Sequence, residues 1–167
     1  MSATASMGRR DAALPEAVDV AIVGGGVMGL ATAYELSKRA PDLRVCVIES
    51  SYLVSGASGR NGGGVRSQWG DAGNVSIMRE SLAICRGLAQ TLRINLWFRR
   101  GGYLFLARSV ATASRLARNI EVHRSVGAPT EQLTAREAKE RVPELDVTGV
   151  HAATFNPEDG VVFPWPF

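Results

Sequence analysis

The sequence is poor in lysine, cysteine and histidine, and each shortage removes a class of function. Two lysines, Lys38 and Lys139, stand against seventeen arginines in 167 residues, and the arginines are scattered. No basic stripe interleaved with aromatics forms, so the small net charge of +3 gives no support for a nucleic-acid partner. The two cysteines, Cys46 and Cys85, lie far apart without CxxC pairing and read as small buried hydrophobes in a reducing compartment. The two histidines, His123 and His151, have no companion at metal-ligand spacing, so no metal site is expected. No run of about 18 apolar residues exists, so no membrane span is expected. Arg9-Arg10 invites an export reading, but Glu16 and Asp19 interrupt the apolar stretch behind the pair, and a cytoplasmic protein is the expectation.

What is present reads as alternating strand and helix, followed by a mixed region. Asp19–Val23 is a short apolar strand signal that ends in three glycines. A helical pattern runs from Gly26 to about Arg39, and Ala40-Pro41-Asp42 breaks it. Leu43–Glu49 is a second, almost continuously apolar strand, suited to burial in a parallel sheet. Further on, a helix capped by Asn74 carries an apolar ridge of Met78, Leu82, Cys85, Ala89 and Leu92 that packs against the fold. Residues 96–98 and 103–107 read as strands around a Gly101-Gly102 turn, and 108–125 as an amphipathic helix. Thr134 and Glu137 form a capping box for a short helix stopped at Val142-Pro143. Residues 149–155 are another strand, and Asn156–Gly160 is a turn.

The chemistry sits at Gly24-x-Gly26-x-x-Gly29, between the first strand and the first helix. Gly24 allows the tight turn, Gly26 lets a diphosphate approach the backbone, and Gly29 lets helix and strand pack closely. Behind them the helix start, with Val27 and Met28, offers free amides and partial positive charge to phosphates. Glu49 ends the second strand 20 residues past Gly29, where a carboxylate binds a ribose 2′-hydroxyl, and Ser50 follows it. The fold class is therefore α/β, α+β overall, opening with a Rossmann-like βαβ unit. Glu49 would repel a 2′-phosphate, which disfavours NADP and leaves NAD or FAD. A second glycine-rich stretch, Ser55–Gly64, favours the larger FAD, since a nicotinamide domain would continue into another βαβ turn.

VDVAIVGGGVMGLATAYEL, VCVIE and GASGRNGGGVR resemble the superfamily of D-amino-acid, glycine and sarcosine oxidases. GVRSQWGDAGNVSIMRESL, GGYLFLA, LTAREAKERVPELD and FNPEDGVV are most similar to two groups within it. These are the β subunits of heteromeric sarcosine oxidase and of dye-linked L-proline dehydrogenase. The resemblance covers almost everything from Val18 onward. It implies an FAD enzyme that oxidises a secondary or N-methylated amino acid, taking a hydride from the carbon beside the amine onto the flavin and leaving an imine that water hydrolyses. It aligns Arg66 with an arginine that binds the substrate carboxylate. It places Ser58, Arg60, Asn61, Gly62 and Gly63 near the flavin or its ribityl chain. Gly63 departs from the monomeric sarcosine oxidases, which carry a second arginine there.

The resemblance also implies a protein more than twice this length. The expected layout is a flexible tail over 1–17, the FAD-binding unit and flavin loop over 18–70, and an incomplete helix-bearing substrate domain over 71–167. The apolar end, VVFPWPF, reads as cut off, and the isolated chain is expected to be inactive. Two alternatives stay open. One is a short, non-catalytic FAD-binding subunit completed by a partner chain; the other is an NAD-linked dehydrogenase or a different FAD enzyme.

Overall fold

A computed structural model describes residues 14–163; most of the expected tail and the last four residues of the apolar end lie outside them. The chain divides into two compact units, Met1–Arg60 and Asn61–Phe167. The layout read from the sequence assigns 61–70 to the flavin-binding part. In the structure this stretch pairs within the second unit.

The first unit is a βαβ motif. Strand β1 (Val20–Val23) leads through the glycine turn into helix α1 (Val27–Arg39), which returns to strand β2 (Val45–Ile48). The strands are parallel, in register from Val20 opposite Val45 to Val23 opposite Ile48. Asp19 and Arg44 fasten the entrance: the Arg44 guanidinium donates to both carboxylate oxygens, at 3.1 and 3.0 Å, and the Arg44 amide adds a third bond at 2.9 Å. This fork of charge-assisted bonds holds the Asp19 carboxyl down at about 2. Helix α1 buries none of its residues fully, and Val23 at the strand end is 87% exposed. After β2 a single 3-10 turn, Ala57–Gly59, lies in the second glycine-rich stretch.

The second unit mixes helices with two antiparallel sheets. Strand β3 (Gly64–Val65) precedes helix α2 (Ala72–Leu92), strand β4 (Tyr103–Ala107) and helix α3 (Val110–Ser125). Strand β5 (Glu131–Leu133), helix α4 (Ala135–Arg141), strand β6 (Ala152–Asn156) and strand β7 (Gly160–Val161) complete it. The larger sheet has the order β4-β6-β5 and the smaller pairs β3 with β7. Leu133, Ala138 and Ala153 form a buried core with Leu104, Leu106, Leu145 and Phe155 packed around it.

The local chemistry explains most boundaries. The ridge read along α2 is buried or half-buried at all five positions, with Leu82 at its centre and Val75 added one turn earlier. The N-cap is Asp71 and not Asn74: the Asp71 carboxylate accepts from the Asn74 amide at 3.0 Å, so Asn74 is the residue capped. Ser109 caps α3 in the same way, and the box of Thr134 and Glu137 on α4 is complete in both directions. The expected strand at 96–98 is absent. Trp97 takes a left-handed φ of 52°, with its amide bonded to the Asn95 side chain, and that breaks the extended run. Strand β4 therefore pairs with β6, Tyr103 opposite Asn156, and has no hairpin partner before it.

Candidate functional site

In the first unit the glycine turn and the start of α1 are packed closely against the end of β2. Gly24 has a φ of 104°, a conformation that L side chains rarely adopt, and it turns the chain out of β1 while its amide bonds the Ile48 carbonyl of β2 at 2.8 Å. Gly29 is a close-approach position. A Cβ there would stand 2.0 Å from the Gly24 carbonyl oxygen and 3.3 Å from Ile22, so only hydrogen lets α1 start this near to β1. In the first turn of α1, as in any helix, the Val27, Met28 and Gly29 amides have no intrahelical acceptor. The Ser58 hydroxyl lies 2.9 Å from the Val27 amide and accepts its bond. A Cβ at Gly26 would meet that same hydroxyl at 2.9 Å, so Gly26 keeps the mouth of the turn open.

Glu49 is tied into this turn. Its Oε2 accepts from the Gly25 amide at 2.9 Å, and its Oε1 from the Ser51 amide at 3.0 Å and the Ser50 hydroxyl at 3.2 Å. The Gly25 amide first, then that of Ser51, holds the Glu49 carboxyl below the usual range. It is thus an ionised acceptor at the end of β2, beside the glycine turn. Behind it the chain is strained: Val54, a β-branched residue, takes a φ of 58° and donates its amide to the Gly25 carbonyl at 2.9 Å. Gly24, Gly26, Val27, Met28, Gly29, Glu49, Ser50 and Ser58 are brought together in this unit. Arg60 follows the 3-10 turn as an exposed residue.

The second unit holds Asn61, Gly62, Gly63 and Arg66. The Asn61 carboxamide oxygen accepts from the Gly63 amide at 2.7 Å, and Gly63, buried with a φ of 72°, gives its carbonyl to the Val162 amide at 2.8 Å. Arg66 follows β3. Its guanidinium carbon lies 5.6, 5.5 and 5.8 Å from the ring centres of Trp69, Tyr103 and Phe105. Each face contact is worth roughly 0.5–2 kcal/mol, and together they orient a cation without neutralising it. None of the ion pairs among the described residues includes Arg66. It is a guanidinium set among three rings, with no ion-pair partner among the described residues.

Next to Arg66 lies a polar network that sequence reasoning missed. Asp159 is fully buried; its Oδ1 accepts from the Ser67 amide and hydroxyl, both at 2.9 Å, and its Oδ2 from the Gln68 carboxamide at 3.1 Å. Burial pushes the Asp159 carboxyl up, against the pull of these donors. Gln68 also donates to the Tyr103 carbonyl at 2.8 Å and accepts from the Thr154 hydroxyl at 2.7 Å. Asn156 donates to the Ser67 and Thr130 hydroxyls, at 3.0 and 3.1 Å. The buried His123 stands 2.7 Å from the Trp69 carbonyl through Nε2, which must carry the proton. Asp159 lies in a stretch that reads as an ordinary turn, and nothing in the sequence links it to residues 67 and 68.

The DAO family, described as FAD dependent oxidoreductase, matches residues 19–167. This chain belongs to that family. Its cofactor is therefore FAD, and the NAD alternative falls. The glycine cradle and the Glu49 carboxylate suit the ADP half of that molecule. Among its relatives, FAD-dependent oxidoreductase domain-containing protein 1 of Xenopus laevis is 35% identical over 162 residues, covering 90% of this chain and 32% of the relative. Sarcosine oxidase subunit beta of an Arthrobacter species is 32% identical over 148 residues, covering 86% of this chain and 36% of that subunit. The crystal structure of L-proline dehydrogenase from P. horikoshii superposes with a TM-score of 0.82 at 38% identity, over 91% of this chain and 40% of that one. The chain thus spans about a third of the length of the curated relatives it matches. Among the described residues no helix is long and apolar enough to cross a membrane.

Proposed function

We propose that this chain is the N-terminal part of an enzyme that oxidises a secondary or N-methylated amino acid, sarcosine and L-proline being the leading candidates. The observation that carries the reading is Arg66, a guanidinium held among three aromatic rings with no carboxylate of the described residues paired to it. Two parallel N–H donors in a fixed plane match a carboxylate in geometry and charge. The names of relatives that act on sarcosine and proline support the same substrate class.

When bound, FAD supplies a two-electron acceptor for the hydride that leaves the carbon beside the amine. The chain's own residues bind and orient. The amides of Gly26, Met28 and Gly29 meet the diphosphate beside the Ser58 hydroxyl, which holds the Val27 amide, and Glu49 receives a ribose hydroxyl. Arg60 in the first unit and Asn61, Gly62 and Gly63 in the second are the residues proposed to meet the flavin and its ribityl chain. Arg66 anchors the substrate carboxylate and so fixes which carbon faces the cofactor; holding reactants in register is worth several powers of ten in rate.

The exposed apolar ends of β1 and β2, Val23 and Ile48, support further strands joining this sheet, from the rest of a longer protein or from another subunit. The isolated 167 residues are then incompetent, and the complete protein works in the cytoplasm, in keeping with its two free cysteines. The test is anaerobic mixing of the full-length, FAD-loaded protein with sarcosine or L-proline. Bleaching of the flavin absorbance by either amino acid supports the reading; a flavin left oxidised by both would refute it.

A further inference from the structure

Asp159 is a buried carboxylate whose partners are all neutral donors, and those donors belong to the two chain segments that frame Arg66. Its Oδ1 holds the Ser67 amide and hydroxyl at 2.9 Å each, directly after Arg66. Its Oδ2 holds Gln68 at 3.1 Å, and its own carbonyl accepts from the Gly102 amide at 3.0 Å, directly before Tyr103. Gln68 spans the same gap, donating to the Tyr103 carbonyl at 2.8 Å. Beyond Gln68, the Trp69 indole donates to the Arg66 carbonyl at 3.2 Å, and that ring is one of the three on the guanidinium.

The bonding leaves no room for a neutral substitute. All three groups facing the carboxylate oxygens are donors. Gln68 cannot turn over to offer an acceptor, because its Nε2 is bound to the Tyr103 carbonyl and its Oε1 to the Thr154 hydroxyl. An asparagine at 159 would set an amide donor against the amide donor of Gln68. A core turn with a purely structural task would be served by a neutral residue, since burying a carboxylate without a cation carries a large desolvation cost. An acceptor of three bonds is wanted here, at the junction of the Arg66 and Tyr103 segments.

We propose that Asp159 is the positioning residue for Arg66, its buried carboxylate clamping Ser67, Gln68 and the start of β4 so that the guanidinium stays among Trp69, Tyr103 and Phe105, ready for an amino-acid carboxylate. The inference rests on the substrate role given to Arg66 above. It predicts that loss of the clamp weakens substrate binding while leaving the chemical step largely intact.

The experiment uses the full-length FAD-loaded protein, with sarcosine and L-proline as probes. Anaerobic stopped-flow separates the dissociation constant, read from the concentration dependence, from the limiting rate of flavin reduction. Asp159→Asn raises the dissociation constant about tenfold, the loss of one or two charge-assisted bonds' worth of alignment. The limiting rate stays within about threefold of wild type, and flavin content is unchanged. Arg66→Ala shows a larger rise of the same kind, and the double variant is no worse than Arg66→Ala, because the two act through one group. If Arg66→Ala leaves the dissociation constant alone, the role of Arg66 is wrong and this proposal goes with it. If Arg66→Ala weakens binding and Asp159→Asn does not, or lowers only the limiting rate, this proposal alone is overturned. Should Asp159→Asn fail to fold, Ser67→Ala decides, since it removes one hydroxyl donor and keeps the amide: a rise of about threefold at full flavin content supports the clamp, and no rise overturns it.

Discussion

Replacing Gly29 by alanine tests the steric logic of the cradle. The added carbon would sit 2.0 Å from the Gly24 carbonyl oxygen, a backbone atom that cannot rotate aside. Ordinary contact needs about 3.5 Å, so the start of α1 must move away from the turn by about 1.5 Å. Forced overpacking of this kind costs about 1–3 kcal/mol, and the better helix propensity of alanine returns up to about 1 kcal/mol. The unit is left less stable by up to about 3 kcal/mol. FAD suffers more, because a displacement of that size takes one or two amides out of reach of the diphosphate. Each such bond to a charged group is worth about 1.5–3 kcal/mol, so FAD affinity falls at least about tenfold. Flavin fluorescence quenching on titrating the full-length apoprotein measures the affinity, and calorimetry the stability. Gly87→Ala is the internal control: it lies within α2 with nothing within 4 Å of an added Cβ, so it stabilises by about 0.5–1 kcal/mol and leaves FAD binding alone. A Gly29→Ala protein that melts higher than wild type and keeps its flavin would refute the reasoning.

Three further outcomes follow from the same geometry. Arg66→Ala lowers kcat/KM for the amino-acid substrate by about 10²–10⁴, two charge-assisted bonds' worth, at unchanged flavin content, as steady-state kinetics will show. Asp71→Ala destabilises the protein by about 1 kcal/mol in denaturant melts, while Asn74→Ala costs much less, because Asp71 is the cap of α2. The raised carboxyl of Asp159 gives the folded state more bound protons than the unfolded chain between the ordinary aspartate value and its own. Its contribution to stability is therefore complete below the ordinary value and is lost as pH rises through the raised one, against the opposite trend of the lowered carboxyls of Asp19, Glu35, Glu49, Glu137 and Asp146; as pH rises above the ordinary aspartate value, melts should show wild type losing stability relative to Asp159→Asn.

The βαβ unit was legible because its information is local. Glycines at 24, 26 and 29, a helix and a second strand ending in Glu49 all lie within one short segment, and each has a steric or electrostatic reason to be where it is. Helix α2 and the capping box of α4 were readable for the same reason, through 3.6-residue periodicity and a three-residue spacing. The short strands were not. β3, β5 and β7 have two or three residues each, too few for alternation to show, and β3 finds its partner β7 at the far end of the chain. The hairpin expected before Tyr103 failed on one backbone angle, the left-handed Trp97, which composition does not announce.

The candidate site divides along the same line. Arg66 was singled out by the family resemblance, aligned on the glycine-rich stretch, but two of the rings around it, Tyr103 and Phe105, arrive on β4 from a distant part of the sequence. Asp159 read as a turn residue because aspartate favours turns, and only tertiary structure shows its side chain turned inward onto Ser67 and Gln68. Buried polar networks depend on partners that the chain brings together late, so a sequence shows the members without the bonds.

The central claim is that the turn at Gly24–Gly29 and the carboxylate of Glu49 hold the ADP half of FAD. The most direct measurement is a parallel titration of the full-length apoprotein, wild type and Glu49→Gln, with FAD and with FMN, which lacks the AMP moiety. Wild type should bind FAD at least about a hundredfold more tightly than FMN, and Glu49→Gln should weaken FAD about tenfold while leaving FMN unaltered. Equal affinities for the two flavins, or an FAD affinity indifferent to Glu49, would contradict the account.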